Sequence, residues 1–274
     1  MQPLKVADTE ATACGGCTRC PTGAFERFGI DSEGADAVVA LAGNPNTGKS
    51  TVFNAMTGLR QRVGNWPGKT VLRAEGGFQA GGTKFRLVDL PGTYSLLSNS
   101  PDEEVARDFI LFGEPNVTVV VVDATALERN LNLVLQVTEI TSSVVVALNL
   151  MDEAERNGLQ IDHRALARDL GVPVVPMAAR QGKGIPELIS TIVGVLDGEI
   201  KCAPPRVVRY DEATEAALQE IQGALQEDYP NLTNARWVAL RLLEGDASIQ
   251  REIDEGTLGS INHPAEGMQV AAKA

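Results

Sequence analysis

The sequence predicts an α/β fold: a mostly parallel sheet with one antiparallel hairpin, helices on both faces of the sheet, and a small all-α appendage. Five short apolar runs, at residues 37–42, 85–88, 117–122, 144–148 and 172–175, are typical of strands buried on both faces of a parallel sheet. Helical patterns lie between most of these runs, which is the order that crossover connections require. Beyond residue 205 the helical patterns continue without further strands, and this predicts the appendage.

The predicted helices of the α/β part cover residues 50–57, 101–112, 127–140, 162–170 and 185–196. Asp162 is suited to cap the fourth of these helices and Gly171 to end it, while Pro186 stands in the first turn of the fifth. Between residues 71 and 88, two extended segments flank Gly81-Gly82, which predicts the antiparallel hairpin.

These patterns divide the chain into four parts. Residues 1–36 form an irregular N-terminal extension, residues 37–200 the α/β domain, residues 205–256 a helical domain, and residues 257–274 a flexible tail. Within the helical domain, apolar residues recur at helical spacing over residues 213–225 and again over 237–243.

The charge and hydropathy of the chain restrict the classes of partner. The net charge is −12, which repels phosphate backbones and anionic lipids, and we expect no nucleic-acid partner. No apolar run approaches the ~20 residues of a membrane-spanning helix, and the N-terminus lacks the pattern of a secretory signal. We therefore expect a soluble intracellular polypeptide, which can also be the cytosolic part of a longer membrane protein.

The segment GNPNTGKS, at residues 43–50, fits the P-loop pattern GxxxxGK[ST] between a predicted strand and a predicted helix. Its glycines let backbone N–H groups point at phosphates, and the helix start adds the positive end of its dipole. Lys49 would contact the β- and γ-phosphates and the Ser50 hydroxyl would bind Mg²⁺; the alternative is a chance glycine-rich turn. The predicted phosphate-binding residues are Gly43, Asn44, Pro45, Asn46, Thr47, Gly48, Lys49, Ser50 and Thr51.

A second motif, Asp89-Leu90-Pro91-Gly92, follows the hairpin. Asp89 is predicted to hold Mg²⁺ through water, and the Gly92 N–H to contact the γ-phosphate. Taken alone, the segment is better explained as an acidic residue that caps a strand before a Pro-Gly turn.

A third motif, Asn149-Leu150-Met151-Asp152, has the NxxD pattern that reads guanine. The Asp152 carboxylate would accept hydrogen bonds from guanine N1–H and the 2-amino group, a donor pair that adenine lacks; the alternative is that Asp152 caps a helix. All three motifs follow predicted strands, and ligands of open α/β sheets bind at the carboxyl ends of strands. Together they predict a Ras-like P-loop GTPase fold that binds GTP or GDP with Mg²⁺.

Two further segments complete the predicted nucleotide site. Ala178, Ala179 and Arg180 resemble the SA[K/R] base-contacting loop of GTPases, with Ala178 in place of serine, so we expect weaker affinity or faster nucleotide exchange. Residues 61–70 occupy the place of the first switch, where Thr70 would bind Mg²⁺ and the γ-phosphate. The predicted nucleotide contacts of that segment are Gly68, Lys69, Thr70 and Val71.

The segments GNPNTGKSTVFNAMTG, QRVGNWPG, DLPGTYSL and NLMDEA resemble the N-terminal G-domain of the FeoB ferrous-iron transport family over residues 38–184. Residues 236–245 resemble the helical domain of that family. The resemblance implies the cytosolic part of a bacterial inner-membrane Fe²⁺ transporter, with a transmembrane region after it. It leaves open a small cytosolic regulator and a homo-oligomer.

The resemblance also implies a K⁺ ion near the phosphates, bound by the Asn46 side chain and the backbone carbonyls of Gly64 and Trp66. Lys69 departs from the family, which more often has an apolar residue there.

Thr93, and not the glutamine of Ras-like enzymes, follows Gly92. A monovalent cation could then supply charge beside the phosphates, and we predict Asn46, Lys49, Thr70 and Gly92 as the catalytic set. Other charge donors are Arg60 and Arg62. The rival functions are an RNA-modification or ribosome-assembly GTPase, and a nucleotide-dependent switch with negligible hydrolysis.

A CxxCxxC cluster, Cys14, Cys17 and Cys20, lies in the N-terminal extension, outside the resemblance. It is one ligand short of a closed Zn²⁺ or Fe–S site. The two interpretations are a metal site completed from elsewhere and an oxidation-prone arm.

Overall fold

Seven strands form one sheet within the residues that the computed structural model describes, which are 25, 28–31, 34–58, 61–97, 100–204, 208–230, 232, 234–256 and 258. The predicted Cys14, Cys17 and Cys20 cluster, Arg60 and most of the C-terminal tail lie outside these residues. The strands are β1 (Ala37–Gly43), β2 (Gln61–Asn65), β3 (Leu72–Ala80), β4 (Thr83–Asp89), β5 (Val117–Asp123), β6 (Val144–Asn149) and β7 (Val174–Pro176).

The helices of the α/β part are α1 (Lys49–Thr57), α2 (Pro101–Phe112), α3 (Leu127–Ile140), α4 (Met151–Arg156), α5 (His163–Leu170) and α6 (Ile185–Leu196). Short 3₁₀ turns cover Ala124–Ala126 and Ala179–Gln181. The appendage contains α7 (Glu212–Asp228), α8 (Ala235–Leu243) and α9 (Ala247–Asp254). Among the described residues, no helix combines the length and the hydropathy of a membrane span.

The strand order is β2-β3-β4-β1-β5-β6-β7. Strand β1 pairs in parallel with β4 and β5, and the parallel ladder continues through β6 to β7, while β3 runs antiparallel to β2 and β4. This confirms the predicted fold class. Strand β2 was not predicted, because all five of its residues are exposed and carry no apolar alternation.

The core lies on both faces of the sheet, which explains the unbroken apolar runs. Along β1, Val38 and Ala40 face one layer, where they join residues of α2, α3 and the appendage, while Val39 and Leu41 face the layer of α1 and α6. Because β1, β4, β5, β6 and β7 run parallel, their carboxyl ends lie along one edge of the sheet, where the polar motifs follow.

Helix boundaries follow capping residues. The Asp162 side chain accepts from the backbone N–H groups of Arg164 and Ala165, and Gly171 ends α5 in the left-handed conformation, as predicted. The Ser100 side chain caps α2 by accepting from the N–H of Glu103. Helix α9 was not predicted; the Asp246 carboxylate caps it.

The appendage is fixed to the α/β part by the side chain of Arg107, which is 0% exposed. Its guanidinium donates to Asp246 at 3.2 Å and to the hydroxyl of Ser248, both at the start of α9, and also bonds the neighbouring Asp108. Burial of a charged guanidinium costs free energy when any of its hydrogen-bond acceptors is removed. These contacts therefore hold α2 and α9 in one arrangement.

We predict that Arg107→Met lowers the free energy of unfolding by about 3–5 kcal/mol, because it leaves the carboxylates of Asp108 and Asp246 in a buried joint without their cation. Urea unfolding followed by tryptophan fluorescence measures the change. Glu244→Gln is the control, since the Glu244 side chain is 50% exposed and its pair with Arg241 should contribute less than about 1 kcal/mol. Equal midpoints for both variants would contradict the role given to Arg107.

Candidate nucleotide-binding site

The phosphate loop connects the end of β1 to the start of α1. Gly48 precedes the helix with φ 83°, and Asn46 also has a positive φ of 67°. The Thr47 hydroxyl donates to the Asn44 carbonyl at 2.9 Å, which closes the loop on itself. A Cβ on Gly48 would lie 2.4 Å from the side-chain nitrogen of Asn149, so only glycine lets the loop approach that residue.

Helix α1 starts without a side-chain cap. The first N–H groups of a helix have no partner within it, and together with the helix dipole they favour an anion. The predicted residues 43–51 therefore form a loop and an uncapped helix start, suited to an anion, at the carboxyl end of β1.

The Asn149 side chain joins this loop to the base-contacting loop. Asn149 is 1% exposed; its Nδ2 donates to the Thr47 carbonyl at 2.9 Å, and its Oδ1 accepts from the Ala179 N–H at 3.0 Å. The sequence suggested Asn149 only as part of NxxD. Its bridging role had no local signal, because its two partners are 102 and 30 residues away.

Asp152 stands at the mouth of the site, in the first turn of α4. Leu150 precedes this helix in the left-handed conformation, with φ 62°. One carboxylate oxygen of Asp152 accepts from the Gln181 amide at 2.9 Å and from Arg156 at 3.4 Å. Sequence reasoning missed Gln181, which orients this carboxylate from the turn that also holds Ala179.

Lys49 and Asp89 meet where the phosphate loop and the DxPG segment approach each other. The Lys49 ammonium donates to the Asp89 carboxylate and to the Leu90 carbonyl. Burial raises the pKa of Asp89, and the nearby Lys49 charge opposes that rise. The Lys49 and Asp89 side chains are both largely buried. Such a pair is suited to bind an anionic ligand through the ammonium and its cation through the carboxylate.

The DxPG segment lies directly against the phosphate loop. A Cβ on Gly92 would lie 3.4 Å from Pro45, and the Thr93 N–H donates to the Gly43 carbonyl at 3.3 Å. The donor set fits Mg²⁺, since the Asp89 carboxylate and the exposed Ser50 hydroxyl at the second position of α1 are hard oxygen ligands.

The first-switch residues form a turn between β2 and β3. The Trp66 N–H donates to the Val71 carbonyl at 3.0 Å, and the Trp66 carbonyl accepts from the Lys69 N–H at 3.1 Å. Gly64 pairs with Arg73 in the ladder, and Thr70 is exposed. In this structure the first-switch residues contact one another, β3, α2 and residues that precede β1. The predicted Thr70–Mg²⁺ and Gly64 and Trp66–K⁺ contacts remain predictions.

Two family models match the chain. One, described as "Ferrous iron transport protein B", matches residues 37–192, and the other, the "FeoB cytosolic helical domain", matches residues 210–271. The Fe(2+) transporter FeoB of Salmonella typhimurium is 43% identical over 212 residues, which are 76% of this chain and 27% of the relative. A Porphyromonas gingivalis Fe(2+) transport protein A/FeoB fusion is 41% identical over 81% of this chain and 26% of the relative. The chain therefore spans about a quarter of the length of these relatives.

Solved structures with the same fold are cytosolic domains of FeoB proteins. That of L. pneumophila has a TM-score of 0.71 and 37% identity, over 84% of this chain and 90% of that one. That of T. maritima in its GMPPNP form has a TM-score of 0.71 and 37% identity, over 84% and 88%. Since one family model covers more than half of the chain and the second matches the appended helices, this chain belongs to the FeoB family of ferrous iron transport proteins.

Proposed function

We propose that this chain binds GTP and GDP with Mg²⁺ and hydrolyses GTP. In the whole protein it would work at the cytoplasmic face of the bacterial inner membrane, as the cytosolic part of a ferrous-iron transporter. The observation that carries the proposal is the Asn149 bridge, because it fixes a phosphate cradle and a base-reading loop at one spacing. The GDP-bound and GMPPNP-bound forms among the similar T. maritima structures support the choice of ligand.

Guanine would be selected at the mouth of the site. The Asp152 carboxylate would offer two acceptors to the N1–H and 2-amino donors of guanine, and the Gln181 amide in the Ala179–Gln181 turn orients that carboxylate. Adenine would leave that carboxylate facing another acceptor, which is a large penalty in a partly buried site. Arg180 follows Ala179 in this turn and completes the predicted base loop.

Phosphoryl transfer would depend on charge placed around the γ-phosphate. The Lys49 ammonium and the N–H groups of the phosphate loop would contact the phosphates, and the Gly92 N–H would join them from the DxPG segment, which lies close to Pro45. Bound Mg²⁺, held by Ser50, Asp89 and in the switched-on form Thr70, would neutralise the charge on the phosphate oxygens. A K⁺ held by Asn46 and by the carbonyls of Gly64 and Trp66 would add positive charge on the other side.

A second function, a nucleotide-dependent switch with negligible hydrolysis, is favoured by Thr93. This residue takes the position of the usual glutamine, but it is 3% exposed and its N–H is bonded to Gly43. It therefore offers no side chain to orient a water molecule. RNA-directed GTPase function is disfavoured by the charge of −12 and by the family assignment.

Helix α2 connects the first switch to the helical domain. The Lys69 ammonium bonds the Glu104 carboxylate on α2, and Arg107, one turn further along, bonds Asp246 and Ser248 of the appendage. Movement of the switch turn would therefore pull α2 against the appendage. We propose that residues 37–200 are the G-domain and 205–256 the helical domain that carries this motion to a membrane pore for Fe²⁺. The family assignment leaves open a small cytosolic regulator and self-association of the whole protein.

We predict that Asp152→Asn weakens GDP binding about 30- to 100-fold, because it loses charge-assisted hydrogen bonds of about 2–3 kcal/mol. The same variant should bind xanthosine diphosphate more tightly than the parent does, since the new amide N–H can donate to the 2-oxo group. Isothermal titration calorimetry measures both, with Glu153→Gln as the neighbouring control. Unchanged GDP affinity in Asp152→Asn, or ATP preferred by the parent, would refute the guanine site.

We predict that single-turnover GTP hydrolysis is much faster in KCl than in NaCl, and that Asn46→Ala erases the difference. Since Asn46 has a φ of 67°, alanine also strains the loop, and Asn46→Gly is the matched variant that removes the side chain without that strain. Both variants should lose the K⁺ effect. Equal rates for the parent in the two salts would refute the K⁺ role, and negligible rates in both would favour the non-hydrolysing switch.

We predict that Trp237 reports nucleotide state through α2. In a Trp66→Phe background it is the sole tryptophan of the chain, and its emission should differ between the GDP and GMPPNP complexes. Glu104→Gln should reduce that difference by about half or more, because it weakens the link to Lys69, while Asp102→Asn on the exposed side of α2 should not. An equal difference in all three proteins would argue against this path.

A further inference from the structure

The residues just before the G-domain pack on the first-switch turn. Phe25 and residues 28–31, here called the N-terminal brace, precede residue 37, where the family match begins. The ring of Phe28 lies edge-on to Trp66 at 6.2 Å and to Phe109 at 5.3 Å, and Phe25 lies 6.0 Å from Phe109. Trp66 itself contacts Phe109 at 5.4 Å, so its indole is enclosed between the brace and α2 and is 2% exposed.

Polar contacts hold the brace to β2 and β3, the two strands that flank the first-switch turn. The Arg73 guanidinium on β3 donates to the Phe28 carbonyl at 2.6 Å and lies 5.8 Å from the Trp66 ring. The Asp31 carboxylate pairs with Arg62 on β2 at 2.5 Å. Gly29 has a φ of 66°, and a Cβ there would lie 2.6 Å from Arg73 and 3.3 Å from Pro67, so the brace backbone is pressed against the turn.

The enclosed indole is not fully satisfied. Its Nε1–H is buried and has no hydrogen-bond partner among the described residues. A buried donor without a partner is costly, and such a group is a reservoir of strain that favours movement. The packing of Phe28 on Trp66 and the contacts of Arg73 therefore oppose movement of the indole out of this enclosed site.

The enclosed turn differs from the arrangement that the proposed GTPase requires. The Trp66 carbonyl accepts from the Lys69 N–H within the turn, and Gly64 is held in the β2–β3 ladder. Binding of ions by Thr70 and these carbonyls would require the turn to give up its present contacts, and the packing of the brace on Trp66 opposes that change.

We propose that the N-terminal brace is an intramolecular restraint on the first switch. Phe28 and Asp31 are positioning residues that slow GTP hydrolysis by holding the Trp66 turn against α2. This proposal rests on the proposed GTPase function and adds to it an element that lies outside the family match.

The test uses a Trp237→Phe background, in which Trp66 is the sole tryptophan. Phe28→Ala is compared with Phe78→Ala, because Phe78 is also half-buried and stacks on another ring, Phe85 at 4.7 Å, away from the brace. Phe28→Ala should at least double acrylamide quenching of Trp66. It should raise single-turnover GTP hydrolysis in KCl about fivefold or more and lower the K⁺ concentration for half-maximal rate. Phe78→Ala should change none of these.

Asp31→Asn, at an exposed pair, tests the restraint without removing a buried ring and should raise the hydrolysis rate about twofold. Exposure of Trp66 in Phe28→Ala with an unchanged or lower rate would overturn the restraint and leave the GTPase intact. Unchanged quenching of Trp66 in both Phe28→Ala and Asp31→Asn would also overturn the restraint. Absence of hydrolysis in the parent protein would instead refute the proposed function, and the restraint with it.

Discussion

The amide of Asn149 holds together two loops that the chain places far apart, since it donates to the Thr47 carbonyl and accepts from the Ala179 N–H. Both bonds are buried, so removing the side chain would leave two polar backbone groups without partners. Gly48 belongs to the same constraint, because any side chain there would collide with the Asn149 amide. One side chain thus sets the distance between the phosphate loop and the loop that contains Ala179. Such a fixed spacing can select a ligand whose base and phosphates lie a fixed distance apart.

Helix α2 contacts two neighbours, the first-switch turn and the appendage, through three kinds of contact. Glu104 bonds Lys69 of the switch, Arg107 bonds the start of α9, and Phe109 packs on Trp66. A helix moves largely as a rigid body, so the switch turn and the appendage share one support. The Arg107–Asp246 contact with the appendage is a buried charge pair, which has few alternative arrangements. The Lys69–Glu104 pair with the switch turn is partly exposed and breaks more easily.

Much of the fold was predictable because buried parallel strands and capped helices leave local signals. The boundaries of α2 and α6 follow from periodicity and from Pro and Gly at their ends, and those of α3 from periodicity alone. The strand ends were marked by the polar motifs themselves. Strand β2 was not predictable, since QRVGN carries no apolar alternation and takes its strand conformation from pairing with β3. Within the site, the chemistry of Lys49, Asp89 and Asp152 could be inferred from residue type and order. The Asn149 bridge, the Gln181 contact and the burial of Trp66 could not, because each depends on partners that only the folded sheet brings near.

The pairing of Lys49 with Asp89 shows why nucleotide and metal would bind as one unit. The ammonium is held by a carboxylate and by the Leu90 carbonyl in a largely buried place, where burial already raises the pKa of Asp89. A triphosphate that draws Lys49 toward itself removes the main counter-charge of Asp89, and a buried carboxylate without a cation is strongly disfavoured. A divalent cation that binds with the phosphates would replace Lys49 as the positive charge next to Asp89, while Lys49 pairs with the nucleotide. The same exchange of partners disfavours nucleotide without metal, so Mg²⁺ would act as a condition of tight binding as well as a participant in hydrolysis.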